Sequence, residues 1–316
     1  MAPPDPSILV LDSASLYYRS FFALPEKMTA PDGRPHNAVR GFLSTISRLV
    51  DMHAPTAVVA CWDNDWRPAW RVELVPSYKA HRVAESDAAG NPNAESEPES
   101  LTPQAEAIAE LLDALGLPRW GVDGYEADDV IGSVVSQAGV ATLIVSGDRD
   151  LVQLIGARSR LLLTVNGGME KWPALDVPAA VERFGVDPSQ YVDLAVLRGD
   201  PSDGLPGVPG IGAKTAAALV RAFGNSDGIL AAARSEPPVR PMTPRLATAL
   251  LANEEAIEQA RRVATVVRDL TLPGPVPGLR TRREDVRGVA RLADEWGVAR
   301  QVADLQAALG RQTVDE

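Results

Sequence analysis

The sequence predicts an α/β protein in which helices flank a mostly parallel central sheet, followed by a second, helical domain. Three short β-rich runs are continuously apolar instead of alternating, as expected for strands buried on both faces of a parallel sheet. Helical patterns separate these runs, which favours parallel strands joined by helices. After about residue 185 the pattern becomes helical. We therefore expect an α/β domain over residues 1–185 and a helical domain over 186–316.

The elements of the first domain follow from the apolar pattern. The predicted strands are 8–11, 57–60 and 141–145, with a further candidate at 161–165. The predicted helices between them are 38–52, 103–115 and 126–137. Residues 83–102 lack apolar periodicity and are rich in Pro, Gly, Asn and Ser, so we expect a flexible, solvated loop there.

The second half is predicted to be helical over residues 191–198, 213–223 and 244–267, and over 284–309 as one or two helices. Pro/Gly-rich stretches separate these helices at 199–212, 236–244 and 273–278. We expect this half to pack back on the sheet.

Composition excludes several classes of protein. The 42 acidic and 31 basic residues give a net charge of −11, which argues weakly against a protein that simply coats phosphate groups. The single cysteine, Cys61, excludes a disulfide framework and a Cys-rich zinc site. Because no apolar run is long enough to span a membrane and the N-terminus lacks a signal sequence, we expect a cytoplasmic protein without a membrane partner.

Acidic residues follow the three predicted strands. Asp12 and Asp63 come just after the first two, and Asp148 and Asp150 follow the third. Because the carboxyl ends of parallel strands share one edge of a sheet, where ligands bind, we expect these acids to lie close together.

Further acids lie in the segment GYEADDV at 124–130 and in a turn at 199–204. Glu126 and Asp129 are three residues apart and share a helix face, with Asp128 in the same turn. A single acid at the start of a helix could simply cap it. Three acids in one turn, opposite the acids that follow the strands, instead favour a cation site. Asp200 and Asp203 flank a tight turn, which alone is a common turn signature.

Several carboxylates held close together repel one another unless they bind protons or a cation. Oxygen ligands suit Mg²⁺ or Mn²⁺, and two such ions can promote phosphodiester hydrolysis. The acids therefore predict metal-assisted hydrolysis that needs no nucleophilic Ser, Cys or His.

A glycine-rich segment, LPGVPGIGAKTA at 205–216, precedes a predicted helix. A phosphate could be held there by the backbone N–H groups, by the helix N-terminus and by the side chains of Lys214 and Thr215. The three glycines are Gly207, Gly210 and Gly212. The spacing matches neither a Walker loop nor a dinucleotide fingerprint, and an ordinary loop between two helices is the alternative. DNA binding by such a loop would be independent of base sequence and sensitive to salt.

A basic segment follows the second strand. Arg67, Arg71, Lys79 and Arg82 could contact phosphates, and Tyr78 could stack on a base. The same spacing also fits a solvated helix face.

Five segments together resemble the bacterial 5′ nuclease family, which comprises the 5′-3′ exonuclease domain of DNA polymerase I and stand-alone flap endonucleases. They are VLDSASLYYRSFFAL, CWDNDWRPAWRVELVPSYKAHR, GYEADDVIGS, SGDRDLVQLI and GDPSDGLPGVPGIGAKTA. The resemblance implies a 5′ nuclease, PIN-like core and a helix–three-turn–helix module at about 198–225 that binds duplex DNA.

By matching position, the resemblance assigns the nine acids to a site for two or more Mg²⁺ or Mn²⁺ ions. Glu126, Asp128 and Asp148 would bind one ion, and Asp150, Asp200 and Asp203 the second, some through water. Lys79 and Arg82 would face the scissile phosphate as catalytic residues. Arg19, in the first segment, joins the expected DNA contacts. The glycine-rich module would grip the duplex and can hold a K⁺ ion in this family.

The implied function is a structure-specific 5′ flap endonuclease and 5′-3′ exonuclease for primer removal and repair, acting as a monomer on DNA with a 5′ flap or 5′ end. Since no polymerase follows, we expect the stand-alone form. Ser13 and Gly204 depart from the family pattern, and the acidic region 83–102 replaces the relatives' arch or clamp. A DNA-binding protein with a degenerate site is the alternative, although all nine acids are present. A dehalogenase-type phosphatase is disfavoured because no second acid follows Asp12.

Overall fold

The computed structural model describes residues 8–83, 95–276 and 283–310, and its centre is a six-stranded sheet. The strand order is β3-β2-β1-β4-β5-β6, and every neighbouring pair is parallel except β5 with β6. The strands are β1 (Ile8–Asp12), β2 (Ala57–Cys61), β3 (Arg119–Trp120), β4 (Thr142–Ser146), β5 (Ser159–Leu163) and β6 (Ala174–Leu175). The predicted mostly parallel sheet is confirmed. Strands β3 and β6 were not predicted because two residues carry no periodicity.

Both faces of the sheet are buried, which explains the continuous apolar runs. In β1, Leu9 and Leu11 belong to one hydrophobic cluster, while Ile8 and Val10 belong to the other. Successive side chains of a strand point to opposite faces, so a strand covered on both sides has no polar positions to alternate with.

Six α-helices lie in the described part of the first 185 residues. They are α1 (Ser13–Ala23), α2 (Asn37–His53), α3 (Ala69–Leu74), α4 (Thr102–Ala114), α5 (Ala127–Gln137) and α6 (Val177–Phe184). Helices α2, α4 and α5 match the predictions. Helix α1 has no predicted counterpart because it begins directly at the end of β1, where Asp12 is both the last strand residue and the helix N-cap.

Seven further helices follow, and none in the described ranges is long and apolar enough to cross a membrane. They are α7 (Tyr191–Arg198), α8 (Ala213–Phe223), α9 (Ser226–Ala233), α10 (Pro244–Ala252), α11 (Glu254–Ala264), α12 (Val286–Glu295) and α13 (Ala299–Gly310). The single helix predicted over 244–267 is wrong, because the backbone leaves helical geometry at Asn253. The region predicted as one or two helices at the C-terminal end forms two.

The helices cover the sheet in two layers. Helices α1, α2 and α4 share the cluster that contains Leu9, and α12 and α13 pack against α4 and α2 on the same side. Helices α5 and α7 to α11 contribute to the cluster on the opposite face. Helices α7 to α13 therefore lie on both sides of the sheet, and α12 and α13 pack on α4 and α2 and not on the strands themselves.

Candidate active site

A cleft of about 1480 Å³ opens at the carboxyl edge of the parallel strands. It brings together acids that are far apart in the sequence, as the strand ends predicted. Six of the predicted acids line it, namely Asp12, Asp63, Glu126, Asp128, Asp148 and Asp200, and the cations Arg19, Lys79 and Arg82 line it as well.

Asp12, the last residue of β1, is held by the neighbouring strand β4 and by the first turn of α1. Asp12 accepts a hydrogen bond from the Ser15 N–H at 3.1 Å and one from the Ser146 hydroxyl at 2.5 Å. Burial, together with the nearby Asp63 and Asp148 carboxylates, raises the pKa of Asp12 to about 7. Asp12 therefore has a strong tendency to bind a proton or a cation.

The loop after β4 adds a second group of acids. The Asp148 carboxylate accepts the Asp150 N–H at 2.7 Å, which fixes the turn between them. Burial and the neighbouring Asp148 charge raise the pKa of both Asp128 and Asp150 well above the usual aspartate value. Asp150 is also repelled by Asp203 and Asp200, so the acids of this loop and of the 200–205 turn form one electrostatic cluster.

The turn at 200–205 is bound to the basic segment that contains Lys79 and Arg82. The Lys79 N–H donates to the Asp203 carbonyl at 3.0 Å, and Arg82 donates to the Ser202 carbonyl at 2.9 Å. Gly204 has φ +70°, and a Cβ there would lie 2.1 Å from the Ser77 carbonyl oxygen. Only glycine fits this contact without displacement, so Gly204 lets the acidic turn approach the two cations.

Asp200 and Asp203 have different surroundings within that turn. Asp200 accepts the Ser202 N–H at 3.0 Å and lies 3.2 Å from the Arg198 guanidinium. Burial raises the pKa of Asp203 to about 6, against the opposing effect of the Lys79 ammonium. The Asp203 carboxylate also lies 3.8 Å from the guanidinium of Arg82.

Glu126 is the N-cap of α5 and is surrounded by donors. Its carboxylate accepts from Arg71 at 2.6 Å, from the Tyr78 hydroxyl at 2.7 Å and from the Lys79 ammonium. Burial alone would lower the pKa of Lys79, but the surrounding acidic groups, with Glu126 the strongest of them, together raise that pKa well above its usual value. The neighbouring Asp63 accepts the Ala127 N–H at 2.8 Å, so it holds the first turn of the same helix.

The structure contradicts the expected roles of Arg71 and Tyr78 in contacting DNA. Arg71 is only 2% exposed and its guanidinium bonds Glu126, Asp129 and the Val263 carbonyl. Tyr78 is equally buried, with its hydroxyl directed at Glu126. Neither side chain can reach a phosphate or a base from this position.

Asp129 is likewise not placed as a metal ligand. It is fully buried, and its two oxygens accept from the Arg71 guanidinium at 2.7 Å and from the Val267 N–H at 2.8 Å. Its neighbour Asp128 lines the cleft instead. Arg67, a further predicted DNA contact, donates to the Tyr78 carbonyl at 2.7 Å and so supports the same buried segment.

Arg19 lies in the cleft wall. Its guanidinium donates to the Gly167 carbonyl at 2.9 Å and to the Val165 carbonyl, and it stacks 5.0 Å from the centre of the Trp172 ring. Its contact with DNA stays a prediction.

The glycine-rich loop joins α7 to α8. Gly207 and Gly210 have φ +70° and +85°, and Gly212 is the N-cap of α8. Lys214 is exposed in the first turn of this helix, and Thr215 is half-buried beside it. The backbone geometry suits a helix N-terminus that faces a ligand, and phosphate binding here stays a prediction.

Sequence reasoning missed Tyr18, Glu95 and Glu97, which also line the cleft. The Tyr18 hydroxyl donates to Glu97 at 2.5 Å, and burial and the Glu97 charge raise the pKa of Glu95 to about 7. Residues 95–101 form no helix, as expected of a loop, but Leu101 at its end is fully buried; residues 84–94 lie outside the described residues. Polar composition alone gave no signal for this burial.

No three His, Cys, Asp or Glu side chains in the described ranges are already arranged to hold a metal ion. The chemistry of the donor set nevertheless fits a hard divalent cation, because carboxylate oxygens are its preferred ligands. Burial and mutual repulsion raise the pKa of Asp12, Asp128 and Asp150, and a bound cation would relieve both costs.

Two family models cover most of the chain. The 5′-3′ exonuclease N-terminal resolvase-like domain matches residues 7–185, and the 5′-3′ exonuclease C-terminal SAM fold matches residues 186–287. The bacteriophage T5 D15 flap endonuclease, solved as a pseudo-enzyme-product complex with DNA and metal ions, shares the fold, with a TM-score of 0.62 and 19% identity over 96% of this chain and 99% of that one.

Sequence relatives point to the same family. A 5′-3′ exonuclease of Streptomyces coelicolor is 50% identical over 92% of this chain and 96% of its own length. DNA polymerase I of Mycobacterium bovis is 35% identical over 98% of this chain, which spans 33% of that polymerase. The chain therefore belongs to the 5′-3′ exonuclease family.

Proposed function

We propose that this protein hydrolyses DNA phosphodiester bonds at a 5′ end or at the base of a 5′ flap, with Mg²⁺ or Mn²⁺ as cofactor. The observation that carries the proposal is one cleft in which carboxylates from three strand ends, one helix and one turn surround Lys79 and Arg82. The family membership and the named exonuclease relatives support the same reaction. Primer removal and repair in the cytoplasm, by a monomer, is the corresponding role.

The residues divide into two groups of expected ion ligands. Asp12, Glu126, Asp128 and Asp148 would hold one divalent ion, with Asp63 beside them. Asp150, Asp200 and Asp203 would hold the second. Divalent ions supply charge neutralisation and an activated water for phosphodiester hydrolysis.

The chain's own cations would act on the DNA. Lys79 and Arg82 lie at the point where the acidic turn meets the strand ends, so they can bind the phosphate that is cleaved and balance its charge. In the proposed division of labour, residues 1–185 carry the chemistry. Residues 186–316 hold the duplex through the 205–212 loop and the first turn of α8, where backbone carbonyls could also hold K⁺.

Cleavage of a labelled 5′-flap duplex tests this proposal, with Mg²⁺ or Mn²⁺ compared with EDTA. We expect metal-dependent cleavage by the wild type and none by Asp148→Ala, which should still bind the flap. Asp304→Ala, an exposed acid on α13, is the matched control and should cleave normally. Flap binding by the wild type without cleavage under either metal would instead identify a DNA-binding protein with a degenerate site.

A further inference from the structure

The two oxygens of the Glu126 carboxylate have different surroundings. Oε2 accepts from the Arg71 guanidinium at 2.6 Å and from the Tyr78 hydroxyl at 2.7 Å, and both donors are buried. Oε1 accepts from the Lys79 ammonium, which lines the cleft. One oxygen is therefore fixed from inside the protein, and the other is presented to the cleft.

The Arg71 side chain is itself fixed in three directions. Its Nη1 and Nη2 bond the two oxygens of Asp129 at 2.7 Å, and its Nε donates to the Val263 carbonyl at 3.0 Å. Val263 lies in the last turn of α11, where the helix dipole favours a cation. The guanidinium cannot turn without breaking hydrogen bonds in a region that excludes water.

Asp129 supplies the charge that keeps this arrangement stable. Arg71 pairs with both Asp129 and Glu126, and Lys79 supplies a second cation to Glu126, whereas a carboxylate without a partner in this buried position would be an uncompensated charge. The Val267 N–H and the Glu126 N–H also donate to Asp129, at 2.8 and 3.3 Å. Asp129, which the sequence analysis assigned to the metal, therefore fixes Arg71, and Arg71 in turn fixes Glu126.

We infer that Arg71 and Tyr78 are positioning residues that set the orientation of Glu126 for a divalent ion, with Asp129 as the counter-charge of Arg71. This inference rests on the proposed function, because Glu126 is an expected ion ligand there. Partners that orient a ligating carboxylate commonly change metal affinity by about 10- to 100-fold when they are removed.

The mild test is Tyr78→Phe, which deletes one hydroxyl and keeps the ring. Mn²⁺ binding to the DNA-free protein is titrated by electron paramagnetic resonance, and thermal unfolding is followed in EDTA. We expect Mn²⁺ to bind roughly 10-fold more weakly, with the KM for flap DNA at saturating metal unchanged. The matched control is Tyr125→Phe, next to Glu126, whose hydroxyl has no hydrogen bond among the described residues; it should bind Mn²⁺ like the wild type.

The second test separates positioning from stability. In the double variant Arg71→Met/Asp129→Asn the buried charge and its counter-charge are removed together, so the double variant should be more stable than Arg71→Met alone. Its Mn²⁺ affinity should nevertheless stay at least about 10-fold below that of the wild type, because Glu126 has lost its fixed partner.

The outcomes distinguish this inference from the proposed function. If the wild type binds Mn²⁺ and cleaves, and both Tyr78→Phe and the double variant bind Mn²⁺ as tightly as the wild type, the positioning roles are overturned. The nuclease proposal then stays intact. A wild type that neither binds Mn²⁺ nor cleaves would overturn both. Weaker Mn²⁺ binding in both variants, with the Tyr125→Phe control unchanged, supports the inference.

Discussion

Replacing Arg71 by methionine should destabilise this protein strongly. The substitution keeps much of the side-chain volume but removes a cation that bonds Glu126 at 2.6 Å and Asp129 at 2.7 Å. Both carboxylate side chains are at most 3% exposed, so water cannot replace the lost partner. Removing one partner of a buried ion pair typically costs about 3–5 kcal/mol. For a chain of 316 residues, that corresponds to a fall in Tm of roughly 5–8 °C.

Thermal and urea unfolding followed by circular dichroism, at pH 7 in EDTA, measure this change. Arg291→Met is the matched control, because Arg291 is 61% exposed and pairs with Glu295 at 3.1 Å on the surface of α12. Exposed pairs contribute about 0–1 kcal/mol, so the control should change the free energy of unfolding by no more than that. A loss below about 1 kcal/mol for Arg71→Met would refute the buried-network reasoning.

Three further predictions concern the cleft and the loop. In EDTA, the pKa of Asp12 is about 7 in the folded chain, whereas its usual value is 3.8. The folded state therefore binds this proton more tightly than the unfolded state, and the free energy of unfolding falls as the pH rises from about 4 to about 7. The Tm of Asp12→Asn minus that of the wild type should therefore grow from pH 5 to pH 7. A Tm difference that stays constant over this range would contradict the raised pKa of Asp12. Gly204→Ala should lower both Tm and the cleavage rate, because its Cβ would lie 2.1 Å from the Ser77 carbonyl oxygen and push the acidic turn away from Lys79. The control Gly33→Ala, with φ +92° and open space around it, should show only the backbone strain. Lys214→Ala should weaken flap binding equally for all DNA sequences and reduce the slope of log binding constant against log salt concentration by about 1. Fluorescence anisotropy at several salt concentrations measures this slope, and an unchanged slope would exclude a phosphate contact.

Sequence reasoning was most successful where a local rule fixes the position of a side chain. A residue that follows a buried parallel strand must lie at the carboxyl edge of the sheet, so the convergence of Asp12, Asp63 and Asp148 could be predicted from three apolar runs. The start of α5 close to Glu126 followed in the same way from the start of the helical pattern. These predictions needed no knowledge of long-range contacts.

Adjacent residues with the same chemistry could not be separated in this way. Asp128 and Asp129 are neighbours in the first turn of α5, yet one lines the cleft and the other is fully buried against Arg71. Arg71 and Lys79 likewise belong to one basic segment, and only Lys79 lines the cleft. A local pattern identifies such a charge, but the surrounding elements decide whether it meets solvent or a partner.

The sequence by itself therefore determined the four central strands of the sheet, the edge where the acids meet and the family. Only the tertiary structure decided which charges are paired inside the protein, because those pairings depend on segments distant in the chain. The carbonyl that fixes Arg71 belongs to Val263, 192 residues further on, at the end of a helix packed from the second half of the chain. A buried charge is stable only where such distant groups satisfy it, and no local pattern of residues specifies that packing.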